Sequence, residues 1–245
     1  MTRRRWIADK WDEQSAMLVG AQAAHMARVL RAQAGMEADV VAGGRVFHAV
    51  VQSATPEEVV FRLGPELDAE PALPVTLVVS IYKFDRMEWA IEKATELGVA
   101  AILPAVAQRT EKHLAQSAIK RVERWRRIAH EAAQQSRRAD VPQILDPVSL
   151  TAHIKSAPAA GVQRIVLAEQ ERTNNLRSAV EAAVNDAGNE RPQLEIAIGP
   201  EGGWSPQEEA LFAASDWKAV TLGPRILRAE TAALTALSVV AAWMD

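Results

Sequence analysis

The hydrophobic pattern changes character once along this 245-residue chain, and that change limits the fold more than any other feature. Up to about Leu67 the apolar runs are short and joined by tight turns. Beyond it they alternate with stretches of helical period. In the first part, Gly20–Ala32 carries Ala24, Val29 and Leu30 at helical spacing. Strand-like runs follow at Asp39–Ala42, Val46–Ser53 and Val59–Leu63. Gly43-Gly44 is a hairpin signal and Thr55-Pro56-Glu57 the next turn. Consecutive short strands of this kind predict a small β-barrel or meander. The stretch Gly64–Pro74 holds three prolines and three acids, and reads as a linker. A domain boundary is therefore expected near residue 70, giving domains 1–70 and 71–245.

After the boundary, Val75–Tyr82 is a continuous apolar run, as in a strand buried on both faces. Helix Arg86–Leu97 is closed by Gly98. Strand Val99–Val106 and a long helix Ser117–Arg137 follow, the helix with Ile119, Val122, Trp125, Ile128, Ala129 and Ala132 on one face. Then come strand Arg164–Ala168, helix Asn175–Ala187, strand Leu194–Ile198, helix Pro206–Ala214, strand Ala219–Leu222 and helix Glu230–Trp243. Ser205 as N-cap, Pro206 and Glu208 mark one helix start. Such alternation predicts a mostly parallel sheet covered by helices, an α/β fold.

Composition removes several chemistries. There is no cysteine, so disulfides, thiolate metal sites and cysteine nucleophiles are excluded. The absence of cysteine fits a reducing cytoplasm. Five scattered histidines (His25, His48, His113, His130, His153) lack zinc-helix spacing, so no metal is expected. No apolar run approaches the length of a membrane span, and Met1–Trp11 lacks the apolar segment of a secretory signal. There is no Gly-x-Gly-x-x-Gly after a strand, no phosphate-loop lysine motif and no Gly-x-Ser-x-Gly.

The net charge of −3 hides an asymmetry. Arg109 to Arg138 contains nine basic and three acidic side chains, a local balance of +6. A basic stretch in an otherwise acidic chain points to a polyanion, although the wet face of a helix gives the same count.

In an open α/β sheet, ligands sit beyond the carboxyl ends of the strands. Three segments stand there. Gly199-Pro200-Glu201-Gly202-Gly203 lets the backbone pass close to a ligand, or is merely a tight turn. Leu222-Gly223-Pro224-Arg225-Ile226-Leu227-Arg228 sets a bulky apolar pair between arginines, fit for a flat apolar ligand part or for packing on the last helix. Leu167-Ala168-Glu169 is silent by itself.

These residues as a set resemble one family. Gly199-Pro200-Glu201-Gly202-Gly203 and Leu222-Gly223-x-Arg225-Ile226-Leu227-Arg228-x-Glu230-Thr231-Ala232 are similar to the C-terminal signature of RsmE-type 16S ribosomal RNA uridine-N3 methyltransferases of the SPOUT superfamily. Lys83-x-Asp85-x-Met87-Glu88, Glu92–Val99, Arg109, the block Glu131 to Pro142, and His25 with Val29-Leu30-Arg31 and Gly35 extend the likeness over nearly the whole chain. Arg5-Trp6 stands where the family has Arg-Phe. The resemblance implies an N-terminal PUA-like barrel, a SPOUT-type parallel sheet with a C-terminal trefoil knot, a homodimer, and S-adenosyl-L-methionine as cofactor. It implies 16S rRNA as partner, in the assembled small subunit.

Carried onto this sequence, the cofactor would meet Leu167, Gly199, Glu201, Gly203, Leu222, Gly223, Ile226, Leu227 and Thr231. Glu201 is the candidate base, and Arg109 and Arg228 the candidate anion stabilisers. Arg109 gripping a phosphate and Glu201 anchoring its loop stay open. Arg3, Arg4, Arg5, Arg121, Arg124 and Arg138 are the candidate RNA contacts, and Trp6 either stacks on a base or packs in the core. Two other readings remain: an RNA-binding protein of this fold without catalysis, and methylation at another RNA position.

Overall fold

A computed structural model describes residues 5–188 and 190–244. The chain divides into two compact units, Met1–Pro71 with Glu131–Val141, and Ala72–His130 with Pro142–Asp245. That Glu131–Val141 groups with residues from the other end of the chain is invisible to a pattern read along the sequence.

In the first unit the elements are β1 (Arg5–Ile7), β2 (Lys10–Trp11), β3 (Ser15–Val19), α1 (Gly20–Ala24) running into a π-helical turn His25–Val29, β4 (Glu37–Ala42), β5 (Arg45–Ala54) and β6 (Glu58–Leu67). They form one six-stranded sheet in the order β1-β4-β5-β6-β3-β2. β1 and β2 lie at opposite ends of that order, yet two residues separate them in sequence. Ala8 N donates to Val41 O of β4 and Asp9 N to Met17 O of β3, both at 2.9 Å, so the sheet curls until its edges meet. Trp6, Leu18, Val40, Val51 and Phe61 fill the interior. The expected hairpin is present, with Gly43 and Gly44 at φ +61° and +78°.

The linker is shorter than the sequence suggests, because β6 continues through Gly64 and Pro65 to Leu67. A bulge against β5 accommodates the proline there. A Cβ on Gly64 would lie 2.7 Å from His48 O, so this close approach selects glycine. Glu131–Val141 adds polar ties: Gln134 Nε2 donates to Gln22 Oε1, and Arg137 pairs with Asp39 at 3.1 Å.

The second unit is an α/β layer. Its elements are β7 (Leu73–Ser80), α2 (Phe84–Glu96), β8 (Val99–Val106), α3 (Lys112–Ser117), α4 (Val122–Gln135, whose end from Glu131 groups with the first unit), β9 (Gln143–Ile144), β10 (Val148–Ser149), α5 (Leu150–Lys155), β11 (Val162–Leu167), α6 (Leu176–Ala187), β12 (Gln193–Ile198), α7 (Pro206–Ala213), β13 (Lys218–Val220) and α8 (Ala229–Met244). Seven strands, all parallel, make one sheet in the order β10-β8-β7-β12-β11-β13, with β9 also on β8. The chain leaves β7 towards β8, then returns to place β12 on the other side of β7. The crevice at this reversal is where such sheets bind ligands.

Two local expectations are corrected. The helix expected over Ser117–Arg137 is interrupted by a 3₁₀ turn at Ala118–Arg121. That tighter winding turns Ile119 off the apolar stripe, and it is 57% exposed. The short elements β9, β10 and α5 have no counterpart in the sequence pattern. Two-residue strands cannot alternate, and α5 shows only the pair Leu150 and Ile154. The start of α7 is as expected: Ser205 and Glu208 exchange hydrogen bonds in a capping box with Pro206 in the first turn. No described helix is long and apolar enough to cross a membrane.

Candidate active site

Five strand ends of the second unit converge on one cavity of about 640 Å³. Its wall is built by the segments after β7, β8, β11, β12 and β13.

After β12, Gly199–Gly203 turns sharply, with Gly203 N donating to Pro200 O at 2.9 Å and Gly203 at φ +68°. A Cβ at Gly199 would press on the Trp204 ring at 3.3 Å. The Trp204 indole Nε1 donates to Leu167 O at 2.8 Å, tying this loop to the end of β11. Two arginines grip the loop from other elements. Arg109, after β8, donates to Gly202 O at 2.5 Å, and Arg86, in α2, pairs with Glu201 at 2.5 Å. Arg109 is itself positioned through its neighbour. Gln108 N donates at 2.7 Å to the buried Glu208 carboxylate, which also caps α7 through Ser205 N at 2.9 Å.

After β13, Thr221 Oγ1 and the backbone of Gly223 exchange hydrogen bonds at 3.1 Å, and Gly223 sits at φ +117°. The segment then turns outward: Ile226 is 81% exposed, an apolar side chain presented to the cavity rather than packed on α8. After β11, the Glu171 carboxylate accepts from the backbone N–H groups of Asn174, Thr173 and Arg172 and from the Thr173 hydroxyl. These donors, the Asn174 N–H first, hold its carboxyl down to about 2. The loops after β11 and β13 are joined in turn, Thr221 N donating to Asn174 O at 2.8 Å and Leu176 N to Thr221 O at 3.0 Å.

Leu167, Gly199, Glu201, Gly203, Leu222, Gly223, Ile226 and Leu227 all line this cavity, as do Arg109 and Arg228; Thr231 is not among the lining residues. It is exposed on α8. Sequence reasoning missed Lys83 and Arg86, which line it too. Both follow the carboxyl end of β7, so the strand-end rule pointed at them.

A model for the RNA methyltransferase domain matches residues 69–241. The ribosomal RNA small subunit methyltransferase E of Synechocystis is 33% identical over 95% of this chain and 75% of that protein. That of Mycobacterium bovis is 34% identical over 92% of this chain and 85% of its own length. The chain belongs to the ribosomal RNA small subunit methyltransferase E family. A crystal structure of the member from Neisseria gonorrhoeae, bound to S-adenosyl methionine, superposes with a TM-score of 0.83 at 27% identity, covering 98% of both chains.

The cavity suits such a ligand on its own chemistry. Its volume lies in the range of small-molecule sites. Leu167, Leu222, Ile226 and Leu227 offer an apolar wall, and the glycine turns leave backbone within reach of a ligand.

The arginines expected to grip RNA fare differently. Arg3 and Arg4 lie outside the described residues. Arg5 is half-buried and donates to Arg137 O at 2.5 Å. Burial and the Arg137 charge push its guanidinium below the ordinary arginine range. Arg138 is corrected outright. It is 8% exposed and bonded to Asp140, so it serves the first unit's interior rather than its surface. Trp6 is in the core beside His25. Arg121 and Arg124 do face outward, but both pair with Glu88 of α2, Arg124 through two bonds of 2.8 Å.

Proposed function

We propose that this protein transfers a methyl group from S-adenosyl-L-methionine to N3 of a uridine in 16S ribosomal RNA. The observation that carries the reading is the cavity at the sheet reversal, walled by the two glycine-bearing loops and rimmed by arginines, in a chain of the ribosomal RNA small subunit methyltransferase E family. Leu222, Ile226 and Leu227 would flank the adenine, while backbone groups at Leu167, Gly199, Leu222, Gly223 and Leu227 would bond the adenine and ribose. The bound cofactor supplies an electrophilic methyl on a sulfonium. The chain's own residues align the acceptor, which is where much of such catalysis comes from. Uridine N3 carries a proton at neutral pH, and Glu201 at the cavity rim accepts it. Arg109 and Arg228 stabilise the negative charge that develops on the uracil ring.

The finer architecture follows the family reading. The segments 199–203 and 222–228 form a trefoil knot of SPOUT type, and the curled sheet of the first unit is a PUA-like RNA-binding module. The molecule is a cytoplasmic homodimer acting on assembled small subunits without a metal. Exposed Arg121 and Arg124 contact phosphates, which position the RNA but do not select the base. N3 lies on the pairing edge, so the target uridine must be unpaired when it reacts.

The test is transfer of a labelled methyl group from S-adenosylmethionine to small-subunit particles and to naked 16S rRNA, followed by mapping of the modified base. A single N3-methyluridine, formed faster on particles, is expected. Cofactor binding without transfer to either substrate would leave only an RNA-binding role.

A further inference from the structure

Resting on the methyl-transfer reading, one feature of the cavity wall remains without a use. Glu201, the acceptor of the N3 proton, is occupied: Arg86 Nη1 sits 2.5 Å from its Oε1. A carboxylate whose charge is neutralised and whose oxygen is hydrogen-bonded by a guanidinium is a poor proton acceptor. Close by, in the first turn of α8, is a second carboxylate. Glu230 has a side chain only 10% exposed, and its Oε1 lies 4.0 Å from Arg86 Nε, beyond hydrogen-bond distance. Its Oε2 is buried with no hydrogen-bond partner among the described residues. The neighbouring Tyr82 hydroxyl does not supply one, being itself buried and unpartnered there. Buried carboxyl oxygens left without a hydrogen bond are rare, and each calls for a reason.

We propose that Glu230 is a second seat for the Arg86 guanidinium, and that Arg86 moves from Glu201 to Glu230 when the RNA is in place. A guanidinium carries five donors in a rigid fork on a long stem, so it can leave one carboxylate and bond the other without the helix moving. The Arg86 side chain is only about two-thirds covered, which leaves it room to turn. Released, Glu201 takes the proton from N3 as the new N–CH₃ bond forms and the sulfonium C–S bond breaks. The carboxyl group, at the rim, returns that proton to solvent. Glu230 never touches substrate; it is a positioning residue, and Arg86 is the part that moves. While RNA is absent, the Arg86–Glu201 pair holds the glycine loop in shape for the cofactor.

The two partners therefore affect different constants. Glu230→Gln removes the second seat. It should slow single-turnover methylation at saturating RNA and cofactor by roughly 10²-fold, the scale of losing a general base, with cofactor affinity kept. Arg86→Gln removes the loop anchor. It should weaken cofactor affinity while losing much less of the saturated rate, and Arg86→Lys should restore the affinity. A network that only stabilises the fold would move both constants together in both variants, and that result overturns the proposal. So does a wild-type rate in Glu230→Gln. An independent readout is the Arg86 Nε–H signal in nuclear magnetic resonance, identified by its loss in Arg86→Lys. On adding S-adenosylmethionine and an rRNA fragment, it should shift in the wild type and stay put in Glu230→Gln. A signal unmoved in both proteins overturns the switch whether or not methylation is seen. A shift without any N3 methylation would instead sink the functional reading.

Discussion

Two single residues bear directly on the cavity, and a third on a loop that borders it. Gly223 stands at φ +117°, where a β-branched side chain is strained whatever space surrounds it. Gly223→Val should therefore displace the loop and weaken cofactor affinity by roughly tenfold or more, since strain of this kind costs on the order of 1–3 kcal/mol. The first unit should stay folded. Calorimetry on the purified variant checks the affinity, and unchanged binding would take Gly223 out of the site. Arg109 holds the Gly202 carbonyl at the same rim. Arg109→Ala should lower single-turnover methylation by about 10²-fold, the loss expected for one charge-stabilising donor. A wild-type rate at saturating RNA and cofactor would reduce Arg109 to a phosphate contact. Glu171 adds a pH dependence. Its carboxyl titrates near 2 in the folded chain against 4.5 ordinarily, so the folded state favours the ionised form. That contribution is complete above about pH 4.5 and is lost as pH falls towards 2. The thermal midpoint of the wild type should thus fall between pH 5 and 3 more steeply than that of Glu171→Gln.

At the scale of elements, α7 is legible in sequence because its start is written in side-chain chemistry: Ser205, Pro206 and Glu208 stand at the spacing a capped helix needs. The strand ends that carry the cavity were equally readable, since β7, β8, β11 and β12 are apolar runs bounded by turn residues. What escaped depends on contacts between distant segments. Nothing near Gly64 says that His48 O lies against it, so a proline-bearing strand looked like a linker. Arg86 stands where the strand-end rule looks, but its pairing with Glu201 left no local sign, because the two are more than a hundred residues apart. The same long-range logic makes α7 more than a helix. Glu208 accepts the capping N–H of Ser205 and the N–H of Gln108, next to Arg109. Ser205→Ala should cost about 1 kcal/mol of stability, the usual value of a cap. Glu208→Ala should cost more, because it leaves the buried Ser205 N–H without its partner at about 1–3 kcal/mol and removes the part-buried Gln108 bond as well. It alone should also slow methyl transfer, through Arg109. Denaturant unfolding and single-turnover kinetics on both variants check this. Equal losses would mean that the Gln108 bond does nothing for the site.

For the whole molecule, charge counted along the chain does not show which cations are already met by carboxylates. The +6 of residues 109–138 is partly met by carboxylates from outside the stretch: Arg138 pairs with Asp140, Arg126 with Asp146, and Arg121 and Arg124 share Glu88. A sequence shows the cations but not the carboxylates that other elements bring to them. This has a measurable consequence for RNA binding. A phosphate contact contributes affinity by releasing counterions, so its loss flattens the dependence of log K on log salt by about 0.7–0.9. Arg124→Ala should weaken binding of 16S rRNA and flatten that slope, while the rate at saturating RNA is largely kept, because the residue lies away from the methyl-transfer cavity. Glu88→Ala should do the opposite. It removes the anion that competes with phosphate for Arg121 and Arg124, so affinity should rise at low salt and the slope should steepen. The Glu88 side chain is only 14% exposed, so the change should also cost some stability, read as a lower thermal midpoint in the same variant. If Glu88→Ala left both affinity and slope at their wild-type values, Arg121 and Arg124 would be surface pairs only, and the RNA track would have to run elsewhere on the molecule.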